Sequence, residues 1–157
     1  MSPPKPQRPG DRKVCVNRKA RHDYEIVDTI EAGIVLSGSE VKSLRAGTAQ
    51  LADAYAFIGS EGVVLRNLEI TAYSHDHTGM GESRRSRKLL LHAAEVHKLR
   101  GRLRESGMSL VPLSIYFKGP WAKCELAVAR GRRKSDKRHA LRALAAERDM
   151  DRARRRR

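Results

Sequence analysis

Three stretches of the sequence combine cations with rings that stack, the side-chain set that holds a nucleic acid. In Asn17-Arg18-Lys19-Ala20-Arg21-His22-Asp23-Tyr24, Arg and Lys neutralise phosphates and His22 and Tyr24 stack on bases. Asn17 hydrogen-bonds a sugar or a base edge. The plainer reading is a solvated basic segment ahead of the first strand. Arg84-Arg85-Ser86-Arg87-Lys88 runs into Leu89-Leu90-Leu91-His92. Such a strip lies on a backbone groove, or keeps an exposed strand edge soluble. The third stretch is Tyr116-Phe117-Lys118 with Trp121-Ala122-Lys123. If Leu113, Ile115 and Phe117 point inward, Ser114, Tyr116 and Lys118 point outward, beside Lys123. Trp121 is read first as a plug at the end of the sheet, with direct stacking as the alternative. Lys98, Arg100, Arg102 and Arg104 cover more than one face of a helix and read as a solvated face.

Catalytic chemistry has little to stand on. His75-Asp76-His77 is the one close cluster with metal-ligand chemistry, and no third ligand follows at a fixed spacing. No metal is expected, and a metal-dependent nuclease is the enzyme reading it would otherwise support. There is no GxSxG, Walker loop or Cys-His-Asp pattern. No catalytic residue and no cofactor is assigned. Glu31 precedes Gly33 in an expected turn, and Glu40 sits near a helix start, where a carboxylate suits the dipole. Cys15 and Cys124 form neither a disulfide framework nor a zinc knuckle and read as small apolar residues.

The charge balance agrees with a polyanionic partner. Lys and Arg number 33 against 18 Asp and Glu, a net charge of +15 over 157 residues. Residues 131–157 hold 12 basic and 4 acidic residues, more than half of the excess. Nucleic acid is the first candidate and an acidic membrane surface the second. The longest apolar run, 54–58, is far too short to span a bilayer. The start, Met1-Ser2-Pro3-Pro4-Lys5-Pro6, lacks the apolar stretch of a signal peptide, so a cytoplasmic, reduced-thiol protein is expected.

The elements that must position these clusters are mostly strands. Tyr24, Ile26 and Ile30 alternate with polar neighbours, and Ile34 and Leu36 resume the pattern after a turn or bulge at Gly33. Ser39 caps a short helix over 39–45. Residues 53–58 and 63–70 flank Gly59-Ser60-Glu61-Gly62 as a hairpin. Residues 87–91 form a short strand, 92–106 a helix, and 110–118 with 121–130 a last hairpin. About six strands and two short helices predict a small closed or partly closed antiparallel barrel. Residues 1–12, with four of the six prolines, read as a disordered lead-in, and 13–130 as the RNA-binding domain. Residues 131–157 read as a basic tail, disordered alone and helical when bound.

The motifs in order resemble the small protein B (SsrA-binding protein) family. They are the 17–24 cluster, Glu31-Ala32-Gly33-Ile34, Gly38-Ser39-Glu40-Val41-Lys42-Ser43-Leu44-Arg45, Arg87-Lys88-Leu89-Leu90-Leu91, Trp121-Ala122-Lys123 and Asp136-Lys137-Arg138. The resemblance runs from about 14 to 138. It implies an OB-like barrel that binds the tRNA-like domain of tmRNA, without enzymatic activity. It implies trans-translation on stalled 70S ribosomes, with the barrel standing in for the missing anticodon arm. The tail would occupy the small-subunit decoding centre and message channel. Alanyl-tRNA synthetase and elongation factor Tu would be indirect partners through tmRNA. The residues carried over for RNA are Asn17, Arg18, Lys19, His22, Tyr24, Glu31, Arg87, Leu90 and Lys123. Those carried over for the ribosome are Asp136, Lys137, Arg138 and Arg142. Glu31 would accept from a base amino group or a 2′-hydroxyl, or would orient a neighbouring cation. Ser135 and Arg148 stand where the family often has a histidine and an aromatic. A general single-strand-binding or ribosome-associated OB protein is the alternative. It calls for several exposed aromatics on one sheet, and the chain has seven in all.

Overall fold

The structure is a computed structural model, and it describes residues 12–72, 82–132 and 134–156. The elements in chain order are β1 (Arg12–Val16), α1 (Ala20–Asp23), β2 (Tyr24–Ile34), α2 (Gly38–Arg45) and β3 (Ala49–Gln50). Then come β4 (Tyr55–Gly59), β5 (Gly62–Arg66), β6 (Glu69–Ile70), β7 (Arg87–Leu90) and α3 (Ala93–Leu103). The chain closes with β8 (Met108–Lys118), β9 (Trp121–Gly131) and α4 (Lys134–Arg155). The fold is mainly β, with one antiparallel sheet of seven strands in the order β1-β8-β4-β5-β7-β2-β9. β8 also pairs with β9, so the pairings β8–β4–β5–β7–β2–β9 return to their starting strand. β3 and β6 make a separate short pair.

The register explains why the core closes. Leu44, Leu65, Leu68, Ile70, Ile115 and Leu126 are fully buried in one cluster lined by every strand of the ring. A second, smaller cluster of Ala20, Val111, Leu113, Ala127 and Ala129 lies on the other face of β8 and β9, with Tyr24 and Ile26 packed on it. These two strands therefore read as continuous apolar runs where they are covered on both faces. Gly119 takes a positive φ of 61°, which lets two residues turn β8 into β9.

Several expectations are corrected. β1, α1 and β3 are elements the periodicity did not reveal, and Arg12, assigned to the lead-in, begins β1. Gly33 does not break the chain into two strands. β2 runs unbroken through it, paired to Leu90 on one side and Lys123 on the other. Leu113 does not share a face with Ile115, because a bulge between Pro112 and Ser114 shifts the register. The cap of α2 is Ser37, not Ser39. Its hydroxyl accepts from Glu40 N at 3.3 Å while Glu40 accepts from Ser37 N at 3.0 Å, a capping box. The tail forms the helix Lys134–Arg155, and the expected disorder there is not shown. Residues 1–11 and His75-Asp76-His77 lie outside the described residues.

Candidate nucleic-acid interface

Strand alternation sorts the side chains of β7, β2, β9 and β8 into core and outer face. Along β7, Arg87 and Leu89 turn in while Lys88 and Leu90 turn out. Leu90 is 54% exposed, and its side chain lies over Gly33. A Cβ at Gly33 would meet the Leu90 Cβ at 3.3 Å, so glycine is what permits this approach. Gly33 pairs with Lys123, and Lys123 pairs with Tyr116. Leu90, Lys123 and Tyr116 thus stand in one row across four strands. The next row on the same face holds Glu31, Glu125 and Ser114. On the other side lie Lys118 and Trp121, which pair at the hairpin end.

A polar network ties these rows together. Glu31 reaches across β9 and accepts from the Tyr116 hydroxyl with Oε2. Its Oε1 accepts from Lys118 Nζ at 3.4 Å. Partial burial pushes Glu31 up, but the Tyr116 hydroxyl and the Lys118 and Lys123 ammonium groups outweigh it and hold the carboxyl below its ordinary range. Burial, then the Glu31 carboxylate, pushes the Tyr116 phenol well above its ordinary value. Ser114 donates to Glu125 at 3.1 Å. Trp121 is 66% exposed, which corrects its reading as an end plug: among the described residues little covers the hairpin tip. The face presents an aliphatic side chain, a phenol, an indole and two ammonium groups. These are side-chain types suited to contact with ribose, base and phosphate.

The structure therefore brings Glu31, Leu90 and Lys123, carried over from the resemblance, to one place with Tyr116 and Lys118, which the third stretch offered as outward-facing but the resemblance did not carry over. The outward alternation along 114–118 was the signal for both. The 17–24 cluster is split. Arg18 and Lys19 are exposed where β1 joins α1. His22 is half-buried, its Nδ1 2.9 Å from the Asp23 carboxylate. Tyr24 caps α1 and packs on the second core cluster.

Two of the expected contacts are corrected. Asn17 is buried: its amide donates to the Pro112 carbonyl at 3.1 Å and its Oδ1 accepts from Ala20 N at 3.2 Å. Both polar atoms bond to the chain's own backbone. Arg87 is 0% exposed. Its guanidinium donates to Glu40 at 2.6 Å and to the carbonyls of Leu68, Ser83 and Arg85 at 2.6, 3.0 and 3.2 Å. Arg85 also donates to Glu40, at 3.1 Å through Nε. Burial opposes the charge on Glu40, yet these arginines and Ser37 N hold its carboxyl low. The second basic stretch therefore places one arginine inside as a strut and leaves Lys88 outside.

On α4, Arg138 and Arg142 are exposed. Asp136 and Lys137 belong to its first turns, and their side chains lie outside the described residues. The helix touches α1, and Arg132 N donates to the Asp23 carbonyl at 3.0 Å just before it. Cys15 is half-buried and Cys124 buried, and burial raises both thiols, Cys15 to about 11, so neither is reactive at neutral pH. Among the described residues, no three His, Cys, Asp or Glu side chains gather as a metal site, and no helix is long and apolar enough to cross a membrane.

Comparison with known proteins follows this geometry. A family model described as SmpB protein matches residues 14–156. An SsrA-binding protein of Acidothermus cellulolyticus is 53% identical over 144 residues, 92% of this chain and 91% of its own length. One of Staphylococcus saprophyticus is 50% identical over 149 residues, 95% of this chain and 96% of its own. A solved structure described as "tmRNA-SmpB: a journey to the center of the bacterial ribosome" matches at a TM-score of 0.66 and 45% identity, over 82% of this chain and 94% of that one.

Proposed function

The chain belongs to the SmpB protein family, and on that premise we propose that it binds tmRNA and serves as its adaptor in trans-translation. The observation that carries the reading is the convergence of Glu31, Leu90 and Lys123 on one outer face, with Tyr116 and Lys118 locked to Glu31. In this reading Lys123 and Lys118 meet phosphates of the tRNA-like domain, while Leu90 and Tyr116 lie against ribose or base. Glu31 fixes the phenol and the ammonium before RNA arrives, so less ordering is left to do on binding. Arg18, Lys19, His22 and Tyr24 would extend the contact along α1.

The returning ring of strand pairings supports an OB-like barrel over 13–130. The segment 131–157 is then a separate basic arm that meets the ribosome, with Asp136, Lys137, Arg138 and Arg142 in the decoding centre and message channel. Its helix exposes Leu144 and Met150 and buries little. A lone helix with so little to bury is marginal in water, which suits an arm that orders on a stalled 70S ribosome. The adaptor has no catalytic step of its own and works in the cytoplasm, with alanyl-tRNA synthetase and elongation factor Tu met only through tmRNA.

Truncation after Arg132 tests the division of labour. The shortened chain is expected to keep affinity for the tRNA-like domain within about threefold, because the phosphate contacts assigned to the barrel remain. It is expected to lose tagging of peptides on stalled ribosomes. Loss of tmRNA binding on truncation would refute the two-part reading.

A further inference from the structure

Away from the Glu31 face, β4 and β8 diverge after a single paired position, Ala56 with Leu110. The gap opens as a groove lined by Tyr24, Tyr55, Phe57 and Met108, with Arg100 of α3 and Arg104 at the end of that helix. Tyr55 is 43% exposed and stands 6.4 Å from Phe57 between ring centroids. Arg66 covers the Phe57 ring at 4.7 Å, which adds a cation to the aromatic pair. No acidic residue lines the groove. Arg102 is paired with Asp28 at 2.8 Å and Arg130 with Glu105 at 3.9 Å. Arg100 rests on the Gly59 carbonyl at 3.4 Å. Arg100 and Arg104 therefore have no carboxylate partner among the described residues.

We propose that this groove is a second RNA-binding surface, which takes unpaired nucleotides with a base on Tyr55 and phosphates on Arg100 and Arg104. An exposed ring beside arginines that have no carboxylate partner fits sequence-tolerant single-strand binding. The charge complementarity favours RNA over a second copy of this chain, whose net charge of +15 would repel. Tyr55, Arg100 and Arg104 are distinct from the residues assigned to tmRNA, so the Glu31 face can fail as a tmRNA site without affecting the groove.

Photo-crosslinking of the full chain to a 4-thiouridine-containing oligouridine tests it, with crosslinked residues mapped by mass spectrometry. Crosslinks are expected on Tyr55, beside others on the basic tail that serve as an internal control. Tyr55→Ala with Arg100→Glu and Arg104→Glu should reduce the groove crosslinks about tenfold, the scale of one lost stack. The tail crosslinks and the affinity for the tRNA-like domain should stay unchanged. Crosslinks confined to the tail and the Glu31 face would overturn the proposal. So would occlusion of Tyr55 that grows with protein concentration, which means a second copy fills the groove. Retained secondary structure by circular dichroism separates a lost site from a misfolded variant.

Discussion

Glu31 and Glu40 are two carboxylates surrounded by cations and hydroxyls, and they do opposite work. Glu40 is buried in the first turn of α2, with Arg87 wholly inside and Arg85 at the rim. Every donor around it belongs to the chain, so its charge is spent on holding β7 against α2. Glu31 lies on the outer face with Tyr116 and Lys118, partly open to solvent. Its partners keep free sides that a ligand can use. The lesson is that a basic stretch must be divided residue by residue: Arg87 is a strut, while Leu90, three positions on, is surface.

The largest effect is expected where the charge is buried. Glu40→Ala leaves the Arg87 guanidinium without its counter-ion and should cost about 3–5 kcal/mol, the scale for breaking a buried pair. Urea unfolding measures it. An unchanged midpoint would erase the distinction between the two carboxylates. The same pair sets an acid limit. The Glu40 carboxyl is held below its ordinary value of 4.5 in the fold, so the unfolded chain takes up the proton first as pH falls. Its contribution is full above about pH 4.5 and is lost as pH drops through the lower folded value. The stability gap between the natural chain and Glu40→Gln should accordingly narrow below that pH.

Smaller effects belong to the outer face. Lys123→Ala or Leu90→Ala should weaken binding of the tRNA-like domain about tenfold, the upper range for one charge-assisted contact or one buried side chain. Unfolding midpoints should barely move, since exposed positions seldom shift stability by more than about 0.5 kcal/mol. A stability loss matching that of Glu40→Ala would assign these residues to the core. The smallest effect is spectroscopic. The Tyr116 phenol is raised above its ordinary value of 10 by burial and by Glu31. Ultraviolet titration should show one late tyrosine, absent in Tyr116→Phe and shifted to lower pH in Glu31→Gln.

Much of this was legible in the residues. The hairpins at Gly59-Ser60-Glu61-Gly62 and Gly119-Pro120 announced themselves through glycine and alternation. β1 did not, because in Arg12-Lys13-Val14-Cys15-Val16 only the adjacent Val14 and Cys15 are half-buried, a bulge interrupts the register, and the strand pairs with β8 alone among the described strands. α1 is a single turn held by Asn17, a tertiary contact 95 residues away in sequence, which no local pattern records. Glu31, Leu90 and Lys123 came from motif resemblance. What united them, Gly33 with neighbours on both sides, read in sequence as a turn. Register across strands decides such a row, and register is a property of pairing rather than of one strand. Buried Arg87 was hidden for a simpler reason: a cation beside other cations looks solvated until its carboxylate is found 47 positions back.

The direct measurement is the affinity of Glu31→Ala for a labelled tmRNA tRNA-like domain, competed with tRNA over a salt series. Simple electrostatics expects removal of an acid from an RNA face to strengthen binding. If Glu31 positions Tyr116 and Lys118, the variant binds more weakly at every salt concentration. Its salt slope should stay nearly that of the natural chain, whereas Lys123→Ala should lose about one unit of slope. Binding equal to or tighter than the natural chain, with the preference over tRNA intact, would contradict the claim that this face recognises the tRNA-like domain through the Glu31 network.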